Sequence, residues 1–175
     1  TDPDANSTHV FAFADGNGST HNSLFSIDAN GTLKTAASLD HEANATLSIR
    51  VRAIDAQNAS LEKVFAVNVT NVNEVPAFAE ANATFTTAEN NASASFVVTA
   101  IDPDANANLV YAASGPDADK FTLNVATGVL TWNAAPDYEA GASAAGNNAY
   151  QVTVTVTDGA VSATQAVTVN VTNVF

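Results

Sequence analysis

The chain has no cysteine and no methionine, only five Lys and Arg residues against 18 Asp and Glu, and no long apolar run. Without cysteine there are no disulfides and no thiolate chemistry, so the fold must rest on its core or on a metal. A formal net charge of −13 opposes any polyanion whose binding depends on phosphate neutralisation, so neither nucleic acid nor an anionic membrane surface is an expected partner. The apolar runs are a few residues long, far short of the roughly 18 to 20 that span a bilayer, and no membrane insertion is expected. The opening residues Thr1-Asp2-Pro3-Asp4 show neither the basic start nor the apolar stretch of a signal peptide. What is present is 46% hydrophobic residues with only 13% charged, enough apolar material for a core and too much for intrinsic disorder.

The sequence repeats itself. Asp2-Pro3-Asp4-Ala5-Asn6 returns as Asp102-Pro103-Asp104-Ala105-Asn106, and Phe25-Ser26-Ile27-Asp28 with Gly31 and Leu33 returns as Phe121-Thr122-Leu123-Asn124 with Gly128 and Leu130. Asp40-His41-Glu42 matches Asp137-Tyr138-Glu139, Asp55 matches Asp158, and Asn68-Val69-Thr70-Asn71-Val72 matches Asn170-Val171-Thr172-Asn173-Val174. Blocks matched in one order, about a domain length apart, mean two copies of one domain rather than a solenoid.

Each copy reads as strand. Val152, Val154 and Val156 alternate with Thr153, Thr155 and Thr157, while Leu47, Ile49, Val51 and Ala53 alternate with Ser48, Arg50 and Arg52, the period-2 pattern of a sheet with one buried face. Alanine is abundant, with 36 in the chain, yet it is interleaved with Thr, Val, Asn, Ser and Gly, which decide against helix. Turn signals such as Asn17-Gly18, Asn30-Gly31, Thr127-Gly128 and Asp158-Gly159 separate the runs. The expected architecture is all-β, with tandem Greek-key sandwiches of seven strands. Pro76 cannot donate to a ladder, which sets the expected domains at 1–75 and 76–175. The first copy has no counterpart of the segment holding Ser95-Phe96-Val97-Val98-Thr99-Ala100-Ile101, so it is expected to lack its N-terminal strands.

The acidic residues gather at strand ends. Asp102, Asp104 and Asp158 brought together at one pole would repel by several kcal/mol per pair even at an effective dielectric of about 20. Such a cluster calls for a cation, and calcium accepts Asp, Asn and carbonyl oxygens in a flexible shell. His9, His21 and His41 are too far apart in sequence to form a zinc motif. No nucleophile elbow or phosphate loop is present, and no enzymatic activity is expected. Trp132 is either a core residue alternating with Leu130 or a sugar-stacking platform. Nine Asn-x-Ser/Thr sequons, Asn82, Asn91 and Asn170 among them, are glycosylation acceptors in a suitable host or a by-product of strands alternating Val, Asn and Thr.

These residues resemble tandem cadherin-like repeats of the kind found in bacterial surface adhesins. Glu89-Asn90 is similar to the family's Glu-Asn element, Asp2/Asp4 and Asp102/Asp104 to its Asp-x-Asp pair, and Leu39-Asp40-His41-Glu42 and Pro136-Asp137-Tyr138-Glu139 to its Leu-Asp-x-Glu element. Asp55 and Asp158 match the Asp that closes a late strand. Asn71-Val72-Asn73-Glu74-Val75-Pro76 stands where the family has Asp-x-Asn-Asp-Asn-x-Pro, one residue shorter and with Asn71 in place of Asp. The stretch from Phe121 to Ala140 is closest to the bacterial branch.

The resemblance implies calcium between successive domains, with Asp40 and Glu42 from the first copy, Asn71, Asn73 and Glu74 from the linker, and Asp102, Asp104 and Asp158 from the second. It implies outer half-sites too, at Asp2, Asp4 and Asp55 upstream and at Glu89, Asp137, Glu139 and Asn173 downstream. The implied function is a calcium-stiffened extracellular repeat region of a long cell-surface or secreted protein. Its partners would be adjacent repeats, other copies of itself or surface glycans. Two alternatives stand beside it: a carbohydrate- or peptide-binding sandwich, and a filament subunit whose first domain is completed by donated strands.

Overall fold

The computed structural model describes residues 8–174, so Asp2 and Asp4 lie outside the described residues. The chain separates into two compact units, Thr1–Val72 and Asn73–Phe175. Asn73 and Glu74 fall in the second unit, where both make hydrogen bonds.

The first unit contains β1 (His9–Phe13), β2 (Phe25–Ile27), β3 (Leu33–Thr35), β4 (Thr46–Asp55) and β5 (Ser60–Asn68). β4 is the centre of a three-stranded antiparallel sheet ordered β1-β4-β5, and β2 pairs with β3 as a hairpin. Its alternating residues do what the pattern predicts: Leu47 and Ile49 are buried together with Phe25, and Phe13, Leu39, Val51, Val67 and Val69 pack around them.

The second unit follows the same order with the front added: β6 (Ala77–Phe78), β7 (Asn82–Ala88), β8 (Ser95–Val97), β9 (Ala100–Ile101), β10 (Val110–Ser114), β11 (Phe121–Leu123), β12 (Val129–Trp132), β13 (Ala149–Thr157) and β14 (Ser162–Thr172). One sheet is ordered β10-β13-β14-β7, the facing one β11-β12-β8, and β6 pairs with β9. Breaks at 79–81 and 98–99 split two of the seven expected strands into the pairs β6/β7 and β8/β9. β7 runs parallel to β14, from Asn82 opposite Ala166 to Ala88 opposite Thr172, whereas the other ladders are antiparallel. The result is an all-β Greek-key sandwich.

Its core lies between the two sheets. Val152, Val154, Val156, Val167 and Val169 on one face meet Phe96, Phe121, Leu130 and Trp132 on the other. Trp132 stacks on Phe121, with centroids 4.2 Å apart, and meets Tyr150 edge to face at 4.9 Å. Gly128 shapes the turn before β12: at φ +68°, a Cβ there would lie 2.1 Å from the carbonyl oxygen of Val98, which only glycine avoids. Among the described residues no helix is long and apolar enough to cross a membrane.

Candidate metal centre

In the second unit the acidic residues sit at the two ends of the long β13–β14 hairpin. Asp158 forms its turn, with Oδ1 accepting the N–H groups of Ala160 at 2.7 Å and Val161 at 2.8 Å. Oδ2 accepts from the side-chain amide of Asn73 at 2.8 Å. These donors, Val161 first and then Asn73 and Ala160, hold the Asp158 carboxyl below the ordinary Asp value of 3.8. The loop after β9 contributes the other two carboxylates. Asp102 Oδ1 accepts the N–H of Asp104 at 2.9 Å, and Asp104 Oδ2 accepts the N–H of Glu74 at 3.0 Å. Asn73, Glu74, Asp102, Asp104 and Asp158 are thus joined through the linker residues rather than by direct approach of three carboxylates.

The open end of the hairpin carries the second group. Glu89, Asp137 and Glu139 bring carboxylate oxygens within 4.8 Å of one another, with Glu89 buried. Glu89 Oε1 accepts the N–H of Val174 at 2.8 Å and Oε2 that of Tyr138 at 3.2 Å, and Asn173 donates to Glu139 Oε1 at 2.8 Å. The N–H of Val174, followed by that of Tyr138, holds Glu89 below the ordinary 4.5.

The first unit places Asp40, Glu42 and Asn71 at the corresponding end of its own sheet. Asp40 Oδ1 accepts the N–H of Ala43 at 3.0 Å, as Asp137 Oδ1 accepts that of Ala140 at 3.0 Å. Glu42 lies 3.0 Å from the Nδ1 of His41. At the other end, Asp55 folds its turn through Gln57 and Ala59, the counterpart of Asp158.

Two observations fit these residues to a cation. The donor set is carboxylate and amide oxygen, which suits a hard divalent ion such as calcium rather than zinc. In addition, Asp102 Oδ2 is buried and has no hydrogen-bond partner among the described residues, whereas a buried charged oxygen ordinarily has one. Sequence reasoning could not find that atom, because burial of one carboxylate oxygen depends on three-dimensional packing that no local pattern encodes. Trp132 and Tyr150 are 8% and 2% exposed, which places Trp132 in the core beside Leu130, the first of the two readings its alternation allowed.

The second unit is thus a Greek-key sandwich with acidic residues at both ends of its last hairpin. The family model "Cadherin domain" matches residues 83–172, more than half of the chain, and the chain belongs to the cadherin family. It is similar to mouse cadherin-23 EC22-24, with 24% identity and a TM-score of 0.67 over 95% of this chain and 53% of that one. The protocadherin GammaB4 extracellular domain is 26% identical, with a TM-score of 0.62 over 94% of this chain and 27% of that one. Protocadherin gammaB7 EC3-6, solved as a cis-dimer, is 22% identical with a TM-score of 0.68 over 96% and 41%. The chain therefore spans about half or less of the length of these structures. No curated protein matches it. Cadherin domains are extracellular adhesion repeats that generally bind calcium, and they are typically structural modules rather than enzymes.

Proposed function

We propose that this chain is part of a calcium-stabilised adhesive region of a long cell-surface protein, of the bacterial adhesin type, in which calcium stiffens successive repeats. The proposed ligands are Asp40, Glu42, Asn71, Asn73, Glu74, Asp102, Asp104 and Asp158, with the domain boundary at the linker. The observation that carries the reading is the buried Oδ2 of Asp102, which has no hydrogen-bond partner among the described residues, in a loop whose Asp104 carboxylate accepts a backbone N–H, as the Asp158 carboxylate does at the hairpin turn. Binding the ordered state alone stabilises it by mass action, and extracellular calcium modules work at dissociation constants of roughly 10⁻⁴ to 10⁻³ M. Calorimetric titration of the chain with calcium is expected to give a constant in that range, weakened about tenfold or more in Asp102→Asn. Unchanged calcium affinity in that variant would refute the assignment of Asp102.

A second reading concerns the first unit. Phe65 and Leu61 lie on the inward face of β5, opposite Ile49 and Ala53, yet are 43% and 73% exposed, while Val167, the counterpart of Phe65, is 1% exposed. In the second unit that face is closed by Phe85 of β7, Phe96 of β8 and Val98 just after it. A strand like β7 would complete the first unit by pairing with β5, and one like β8 by pairing with β3. A peptide of residues 76–101 is expected to protect the β5 amides from hydrogen exchange; no change in their exchange would count against strand completion.

A further inference from the structure

The two copies use different side chains for one structural task. In the second unit Asp117, 1% exposed, precedes a 3-10 turn over Ala118–Lys120. Its N–H donates to the carbonyl of Gln151 at 3.2 Å, and the N–H of Gln151 donates back to its Oδ2 at 2.7 Å. Oδ1 accepts the N–H of Ala144 at 2.6 Å. In the first unit His21 precedes the matching 3-10 turn, Asn22–Leu24. Its N–H donates to the carbonyl of Ser48 at 3.0 Å, and the N–H of Ser48 donates back to its Nδ1 at 2.9 Å. Ser48 and Gln151 each follow the first inward residue of the long central strand, Leu47 in one unit and Tyr150 in the other. Each side chain closes the same two-bond ring on that strand.

The acceptors respond differently to protons. A carboxylate accepts throughout the pH range in which it is ionised. An imidazole nitrogen accepts only while it carries no proton, and since a backbone N–H can only donate, the ring must be neutral with its hydrogen on Nε2. On protonation two N–H groups would face each other, and the Ser48 amide would lose its partner on a half-buried strand. We propose that His21 is a proton-sensitive tie holding the start of β4 to the preceding loop, released as the imidazole is protonated, while Asp117 keeps the equivalent tie of the second unit closed.

The surrounding charges do not replace the bond. β4 carries Arg50 and Arg52, β5 carries Glu62 and Lys63, and the loop before His21 carries Asp15. Arg50 is engaged by Glu62 at 2.7 Å and by the carbonyl of Asn17 at 2.9 Å. The neighbouring Asn22 spans from the Arg50 N–H, at 2.9 Å, to the carbonyl of Ala14, at 3.0 Å, so release at His21 leaves β4 tied at Arg50 and is a local event.

Hydrogen exchange of the full chain by NMR, corrected for intrinsic rates, tests this at single amides. As pH is lowered, protection of Ser48 is expected to fall at least about tenfold, tracking the ring C–H resonance of His21, while Gln151 stays protected. His21→Asp, which supplies the acceptor of the second unit, is expected to abolish the pH dependence at Ser48. Nitrogen shifts of the wild-type ring read the tautomer independently of any variant. Ser48 protection that stays flat across the His21 titration, a pH-dependent loss that persists in His21→Asp, or a neutral ring protonated on Nδ1 would each overturn the proposal.

Discussion

The side-chain amide of Asn73 donates to Asp158 Oδ2 at 2.8 Å, joining positions 85 residues apart in sequence. One residue of the linker is thereby fixed to the turn of the last hairpin, and Asp158 is kept ionised by three donors. A depressed Asp contributes stability above its ordinary value of 3.8 and loses it as pH falls through the lowered one. In Asn73→Ala the Asp158 carboxyl is expected to titrate closer to 3.8, read from its side-chain carbon resonance. An unmoved titration would show that the backbone donors alone set it.

Glu89 behaves in the same sense at the open end of the hairpin. Two backbone N–H groups, from Val174 and Tyr138, favour its ionised form. Glu89→Gln is expected to lower the unfolding midpoint near neutral pH in chelator, and the gap to the wild-type chain should close as pH falls below about 4.5. A gap that stays constant down to pH 3 would mean that shape, not charge, accounts for the loss.

The two inner faces of the long hairpins predict unequal costs at equivalent positions. Val167→Ala removes methyl groups from a site 1% exposed and is expected to cost about 2 kcal/mol. Phe65→Ala strips a larger side chain from a site 43% exposed, yet is expected to cost less than about 1 kcal/mol in this chain. Urea unfolding followed amide by amide separates the two units, and equal costs would contradict the open face of the first.

Gly128→Ala should be among the most damaging single-atom additions. The left-handed φ and the 2.1 Å approach to Val98 force a shift of backbone, and a loss of about 3 kcal/mol is expected. Chemical denaturation measures it directly; a loss under about 1 kcal/mol would show that the turn rearranges freely.

Much of this architecture is legible in the sequence because its signals are periodic or repeated. Alternation in β4 and β13 located their buried faces, and the matched blocks gave the shared strand order. The Glu89-Asn90 and Asp102-Pro103-Asp104 elements marked residues that the structure places at the ends of the second unit. What escaped depends on distance and shape. No local pattern announces that β7 lies parallel to β14, since that ladder joins segments about a domain apart. The equivalence of His21 and Asp117 is hidden because dissimilar side chains accept the same kind of amide. The buried Oδ2 of Asp102 is a matter of coverage rather than composition.

Calcium stabilisation is tested most directly by thermal unfolding in millimolar calcium and in chelator, followed by the fluorescence of Trp132, the single tryptophan. At calcium near 100 times the dissociation constant, linkage gives about 2.7 kcal/mol per independent site. The midpoint should therefore rise by several degrees in calcium, and Asp102→Asn should remove most of that rise. The same midpoint in calcium and in chelator would contradict a calcium-stabilised repeat.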